Sequence, residues 1–81
     1  MRGFELCLYT SQTCHLCELA EALLQPFVEQ LGLTLYKVDI NTDANLITDY
    51  GLRIPVLLLP NGVEKGWPFT TAQVRRLLAE L

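Results

Sequence analysis

The sequence predicts an α/β domain with the element order β-α-β-α-β-β-α, in which a four-stranded mixed sheet is flanked by helices. Three observations carry this prediction. Short apolar runs alternate with stretches of helical spacing, a Pro60-Asn61-Gly62 turn separates the last two strands, and a Cys-x-x-Cys pair follows the first strand. The chain has 81 residues, of which 51% are hydrophobic, so we expect one domain spanning residues 1–81.

The first strand and the first helix are predicted from their apolar spacing. Phe4 to Tyr9 is a short apolar run, which is typical of a central strand covered on both faces. From Leu16 to Leu31 apolar residues recur at helical spacing, and Gly32 follows as a C-terminal stop. Pro26 falls inside this helix and lacks a backbone donor, so we expect it to kink or divide the helix near residues 22–25.

The second half of the chain predicts a parallel strand, a short helix, a hairpin and a last helix. Leu33 to Ile40 alternates well enough for a strand, parallel to the first because a helix connects the two. In the short helix we expect Leu46, Ile47 and Tyr50 to face inward. This short helix is capped by Asn41, Thr42 or Asp43 and ends at Gly51. Val56–Leu59 and Val63–Trp67 then form a hairpin, and the last helix begins at the capping box Thr70-Thr71-Ala72-Gln73.

The Cys14 and Cys17 pair lies where the first strand passes into the first helix. The first turn of a helix has unpaired backbone N–H groups and a partial positive charge, which favour a thiolate. Such positions lower a cysteine pKa from about 8.5 to roughly 3.5 to 7.5. We therefore expect Cys14 to be the attacking sulfur and Cys17, one turn further on, to resolve a mixed disulfide.

Three other interpretations of the cysteine pair remain open. A structural zinc site needs four ligands, but beyond the pair the chain offers only Cys7 and His15. Two chains could share a metal or an iron–sulfur cluster through paired cysteines, or the pair could be buried by chance. We expect Cys7, in the first strand between Leu6 and Leu8, to belong to the core.

Charge and hydropathy limit the classes of partner. The net charge of −3 comes from 9 acidic and 6 basic residues, and no basic run is longer than Arg75-Arg76, which argues against nucleic acid. Because no apolar stretch reaches about 18 residues, we expect no membrane association. Glu5 interrupts the first apolar run, and a signal peptide does not typically carry such a charge there, so we expect a cytoplasmic protein. In the cytoplasm a cysteine pair is more often catalytic than structural.

This order of elements, with the cysteine pair at the first strand-to-helix junction, resembles the thioredoxin superfamily and, within it, the glutaredoxins. The resemblance spans nearly the whole chain. The matching segments are Tyr9-Thr10-Ser11-Gln12-Thr13-Cys14-His15-Leu16-Cys17, Val38-Asp39-Ile40 and Tyr50-Gly51-Leu52-Arg53-Ile54-Pro55-Val56-Leu57.

The resemblance implies a substrate-binding region around Pro55. In that family the proline at this position is cis and packs beside the reactive cysteines, which implies a cis Ile54–Pro55 bond here. Both the N–H and the C=O of Ile54 would then pair with an extended thiol substrate, which adds to the sheet as a strand. Glutathione is implied as a candidate co-substrate, with Arg53 as a partner for one of its carboxylates. Trp67 would form an apolar wall near the cysteines, the alternative being that it covers the last helix.

The chain also departs from the glutaredoxin pattern. The lysine usual before the first cysteine is missing, because residues 10–13 are Thr-Ser-Gln-Thr, and the usual Gly-Gly pair is replaced by Gly66-Trp67-Pro68-Phe69-Thr70. Between the cysteines stands His15-Leu16 rather than Pro-Tyr. A cationic His15 would lower the pKa of the Cys14 thiol; the alternative is an exposed residue with no functional coupling.

Together these features predict a thiol–disulfide oxidoreductase that cycles a Cys14–Cys17 dithiol and disulfide through a mixed disulfide with its substrate. We expect no tightly bound cofactor and no metal. Its partners would be a disulfide-containing protein or a small thiol, with glutathione or a reductase as electron donor. The alternative is a non-enzymatic binding module of the same fold, or an iron–sulfur cluster carrier.

Overall fold

The computed structural model describes residues 4–81, so the first three residues of the predicted domain lie outside the described part. The predicted order of strands and helices is confirmed, with one short 3-10 turn added. In chain order the elements are β1 (Glu5–Thr10), α1 (His15–Leu31), β2 (Thr34–Asp39), the 3-10 turn (Ile40–Thr42), α2 (Ala44–Tyr50), β3 (Val56–Leu58), β4 (Glu64–Gly66) and α3 (Thr71–Ala79).

The strands form one mixed sheet in the order β2-β1-β3-β4. β1 and β2 are parallel, as expected for strands joined by a helix, whereas β3 is antiparallel to both β1 and β4. Tyr9 near the end of β1 pairs with Val56 at the start of β3. The loop that follows β1 and the segment that precedes β3 therefore emerge at the same end of the sheet.

The hydrophobic core lies between one face of the sheet and the two helices α1 and α3. Side chains alternate between the two faces of a strand, and the inward set on β1 and β3 meets apolar residues of both helices. The core consists of Leu6, Leu8, Ala20, Leu24, Phe27, Leu33, Leu57, Leu59, Phe69, Val74 and Leu78. On the opposite face, α2 contacts the sheet through Tyr50, whose ring stacks on Tyr9 at 4.2 Å between centroids.

Two local expectations need correction. Pro26 does not divide α1, which runs without interruption from His15 to Leu31 and ends at Gly32 in the left-handed region, with φ of 65°. Pro26 and Ala22, whose carbonyl loses the hydrogen bond, are both exposed, so water can satisfy that carbonyl. Ile47 does not face inward but is 46% exposed, because α2 is only about two turns long and buries none of its residues fully.

The ends of the helices follow the sequence closely. Asp43 caps α2, with its side chain accepting a hydrogen bond from the backbone of Asn45 at 2.8 Å. Thr70 and Gln73 form the predicted capping box of α3, with reciprocal bonds of 3.0 and 3.1 Å. These contacts fix where α2 begins after the 3-10 turn and where α3 begins after β4.

The docking of α1 on the sheet can be tested with a matched pair of leucines. Leu24 is fully buried, whereas Leu19 on the same helix is 44% exposed. We expect Leu24→Ala to lower the free energy of unfolding by about 2 to 5 kcal/mol, because it removes buried methylenes and leaves a cavity. The same change at Leu19 should cost less than about 1 kcal/mol.

Urea unfolding followed by circular dichroism measures both changes. Equal losses for the two variants would contradict the placement of α1 with Leu24 on its core side.

Candidate active site

Cys14 and Cys17 form a disulfide at the N-terminus of α1, with their Cα atoms 5.2 Å apart. Cys14 is the N-cap residue, in an extended conformation with φ of −102° and ψ of 105°. Its Sγ accepts a hydrogen bond from the backbone N–H of Cys17 at 3.1 Å. The sulfur therefore occupies the position where a serine or aspartate oxygen usually caps a helix. Any negative charge that develops on this sulfur is stabilised by that N–H and by the helix dipole.

The two sulfurs differ in exposure. Cys17 is only 3% exposed and packs on the inner side of α1, whereas Cys14 is half-buried. The residues between them, His15 and Leu16, are exposed to solvent. A reagent that approaches from solvent therefore reaches Cys14 before it reaches the more buried Cys17.

A cavity of about 310 Å³ lies beside the disulfide, where the ends of β1 and β2 meet the first turns of α1. Its lining consists of Thr10, Ser11, Gln12, Cys14, Cys17, Glu18, Glu21, Lys37 and Asp39. Three carboxylates therefore face one cation, and Lys37 already pairs with Glu21 at 3.0 Å. Asp39 also caps the 3-10 turn, since its side chain accepts from the Asn41 N–H at 2.9 Å. This side of the disulfide is acidic.

Pro55 lies at the same end of the sheet as the cysteine pair. The Ile54–Pro55 peptide bond is cis, as the resemblance implied, and so is the Trp67–Pro68 bond, which the sequence did not predict. The backbone N–H of Trp67 donates to the Pro55 carbonyl at 3.0 Å, so Trp67 lies beside Pro55. The Trp67 ring makes an edge contact with Phe69, with 5.0 Å between centroids.

The backbone of Ile54 is only partly available to a substrate. Its N–H donates to the carbonyl of Tyr50 at 3.1 Å, as part of the turn that follows α2. The expectation that both backbone groups of Ile54 pair with a substrate is therefore wrong for the N–H. Only the Ile54 carbonyl remains for such pairing.

Arg53 is not a free cation. Its guanidinium forms an ion pair with Glu64 at 3.3 Å, donates to the carbonyl of Asp49 at 3.4 Å, and lies 5.2 Å from the centre of the Tyr50 ring. Tyr50 donates its hydroxyl proton to the other oxygen of Glu64. This hydrogen bond, followed by partial burial, raises the pKa of Tyr50 above its ordinary value. A substrate carboxylate at Arg53 would have to compete with Glu64.

Cys7 does not belong to the core, contrary to expectation. It is half-buried and alternates with Leu6 and Leu8, so its side chain lies on the opposite face of the sheet, next to Tyr36 and Leu58 in register. Burial raises the pKa of the Cys7 thiol. At neutral pH Cys7 is therefore a poor nucleophile.

Metal binding and membrane insertion can be assessed for residues 4–81. Within this range no three His, Cys, Asp or Glu side chains converge on a point where they could hold a metal ion. None of the helices in the same range is long and apolar enough to cross a membrane.

Similarity to known proteins identifies the family. The profile of a family described as Glutaredoxin-like domain (DUF836) matches residues 5–79 of the chain. The chain belongs to this glutaredoxin-like family. No match was found among curated proteins.

Solved structures agree with the family and the fold. The X-ray structure of target protein XcR50 from X. campestris is 39% identical to this glutaredoxin-like domain, with a TM-score of 0.81 over 94% of this chain and 97% of that chain. Protein Ne2328 from Nitrosomonas europaea is 23% identical, with a TM-score of 0.72 over 95% and 93%. Thioredoxin O2 from Arabidopsis thaliana in its oxidized state is 21% identical, with a TM-score of 0.65 over 96% and 74%. The last two support the thioredoxin-like fold alone.

Sequence reasoning missed several residues around the disulfide of the glutaredoxin-like domain. Glu18 and Glu21 stand four residues after Cys14 and Cys17, a helical spacing that could have placed them near the sulfurs. Lys37 could have been placed from the parallel pairing of β2 with β1. The contact of Glu64 with Arg53 had no local signal, because it depends on the register of the β3–β4 hairpin.

The difference between the three cysteines can be measured on the reduced domain. We expect iodoacetamide at neutral pH to modify Cys14 fastest, because it is the accessible sulfur at the helix N-terminus. Cys7 should react slowly, since a raised pKa leaves less thiolate at neutral pH, and its rate should climb as the pH rises toward that pKa. Mass spectrometry of the digested protein gives the three rates.

The same experiment in denaturing urea is the control, since the three thiols should then react at similar rates. If Cys7 in the folded domain were modified as fast as Cys14 at neutral pH, the assignment of Cys14 as the reactive thiol would be wrong.

Proposed function

We propose that this glutaredoxin-like domain is a thiol–disulfide oxidoreductase in which Cys14 attacks and Cys17 resolves. One observation carries the proposal: the Cys14 sulfur caps α1 and accepts the Cys17 N–H, while Cys17 is buried directly behind it. A helix cap of this kind stabilises a thiolate, and the asymmetry of exposure assigns a different role to each sulfur.

The cycle begins with the reduced pair. The Cys14 thiolate attacks one sulfur of a substrate disulfide, a mixed disulfide forms, and the displaced substrate sulfur leaves as a thiolate that takes up a proton. Cys17 then loses its proton and attacks the Cys14 sulfur, which releases the second substrate sulfur. The substrate has gained two electrons, and the domain is left with the Cys14–Cys17 disulfide that the structure contains. A donor dithiol, or two molecules of a monothiol, reverses these steps on the domain.

The region around Pro55 is the proposed substrate-binding surface. The Ile54 carbonyl would accept a hydrogen bond from an extended substrate segment, and the half-buried Trp67, held beside Pro55 by its backbone, would offer an apolar surface next to it. Disulfide-containing proteins and small thiols are both candidate substrates. Reduction would draw on glutathione or on a reductase, in the cytoplasm, where such pairs are kept reduced between turnovers.

The roles of the cysteines can be separated by substitution. We expect Cys14→Ser to abolish reduction of a disulfide reporter, a loss of at least about 1000-fold, because it removes the nucleophile. Cys17→Ser should keep the first step but accumulate the mixed disulfide, and Cys7→Ser should match the wild type. The assay measures reporter reduction with glutathione and, separately, with a thioredoxin-reductase system as donor.

Each result has a distinct meaning. Turnover by Cys17→Ser with glutathione alone would show a route that needs one cysteine. Unchanged activity in Cys14→Ser would exclude the proposed function, as would a purified protein that is coloured by a bound cluster and reduces no disulfide.

The proposed contribution of His15 concerns the pKa of the neighbouring thiol. A cationic imidazole next to Cys14 would favour the thiolate, so we expect His15→Ala to raise the Cys14 pKa only slightly, because His15 is exposed and its field is screened. The thiolate absorbance in the ultraviolet, titrated in a Cys7→Ser background, measures the shift.

Substitution of Leu16, the other exposed residue between the cysteines, by alanine is the matched control and should leave the titration curve in place. A curve for His15→Ala that overlays the parent curve would remove His15 from the mechanism.

A further inference from the structure

We infer that Glu64 is a specificity-determining residue: it acts as an internal carboxylate that occupies Arg53 and so selects against thiols that carry carboxylates, including glutathione. The inference rests on the proposed function, since it concerns which thiols and disulfides react at Cys14. The substrates it favours are neutral or cationic segments of disulfide-containing proteins.

The Glu64 carboxylate is engaged through both of its oxygens. One oxygen forms the ion pair with the Arg53 guanidinium at 3.3 Å, and the other accepts the hydroxyl proton of Tyr50. Arg53 in turn donates to the Asp49 carbonyl and lies over the Tyr50 ring. Glu64 and its two partners therefore form one connected cluster, in which the ion pair with Arg53 is exposed to solvent.

The backbone holds the members of this cluster in place. Tyr50 ends α2 and stacks on Tyr9 of β1, with the ring planes 14° apart. Glu64 begins β4 and pairs in register with Leu58 of β3. The carboxylate is thus presented to Arg53 by a hairpin and a packed aromatic pair, and an external carboxylate must compete with a group that is already positioned.

The location of Arg53 gives this competition a functional effect. Arg53 is two residues before Pro55 and therefore lies at the end of the sheet where β1 leads to Cys14. The cavity beside the disulfide gives no compensation, because Lys37 is paired with Glu21 and the lining also carries Glu18 and Asp39. A thiol whose carboxylate reaches the cavity meets these acidic groups, and one whose carboxylate reaches Arg53 meets an arginine that is already paired.

The experiment compares two thiols as reductants of the oxidised domain, glutathione and the neutral 2-mercaptoethanol, at matched thiolate concentrations. For each, the thiolate attacks the Cys14 sulfur, the Cys14–Cys17 bond breaks, and Cys17 leaves as a thiolate that takes up a proton. A second molecule of the thiol attacks the sulfur of the first, which releases the Cys14 thiolate and a symmetrical disulfide. Acid quenching, alkylation and mass spectrometry give the rate for each thiol.

The ratio of the glutathione rate to the 2-mercaptoethanol rate is the decisive quantity, because a general change in Cys14 reactivity cancels in it. We expect Glu64→Gln to raise this ratio about two- to five-fold, the range that the loss of one competing exposed ion pair supports. Adding Arg53→Gln to Glu64→Gln should remove the gain. Tyr50→Phe, which releases one of the two anchors of Glu64, should raise the ratio by a smaller factor.

Glu29→Gln is the charge-matched control. Glu29 lies in the second half of α1, about 22 Å along the helix from Cys14, and its side chain is engaged only with the exposed Gln25. Its substitution should leave the ratio unchanged, and urea unfolding of every variant checks that the fold is intact.

The possible results separate the two proposals. If neither thiol reduces the wild-type disulfide through Cys14, the proposed function fails. If both thiols do so, the proposed function stands, and three results would then contradict the role of Glu64. They are an unchanged ratio in Glu64→Gln, a raised ratio that persists when Arg53→Gln is added, and an equal rise of the ratio in Glu29→Gln.

Discussion

The hydrogen bond from the Cys17 N–H to the Cys14 sulfur is the contact on which the proposed chemistry of this domain depends. It makes one atom both the cap of α1 and the proposed nucleophile, so the burial of α1 against the sheet also fixes the position of the sulfur. The donor of this bond is a backbone N–H, which reduction of the disulfide does not alter, so it stays available to a thiolate at Cys14.

Several polar groups around this contact are paired with other groups of the same domain. Lys37 pairs with Glu21, Arg53 pairs with Glu64, and the Ile54 N–H donates to the Tyr50 carbonyl. Both of these basic side chains are therefore engaged by carboxylates of the same chain. An external carboxylate could bind either of them only in competition with Glu21 or Glu64.

The sequence predicted the features that depend on neighbouring residues. The helical spacing of α1, the cap at Thr70, the turn at residues 60–62 and the placement of Cys14 at a helix end are all encoded within a few positions. It could not predict that Arg53 would be occupied, because its partner is 11 residues away and faces it only in one register of the hairpin. The prediction that Cys7 belongs to the core was wrong for a related reason, because a continuous apolar run does not show which face of the strand the helices α1 and α3 cover.

The hydrogen bond between the Trp67 N–H and the Pro55 carbonyl has a consequence for the segment that follows β4. It continues the antiparallel pairing of β3 with β4 one residue beyond Val56 and Gly66. Pro55 is itself fully buried, so the backbone of Trp67 is anchored to a fixed part of the sheet. The position of the indole is therefore set by strand pairing rather than by the conformation of a free loop.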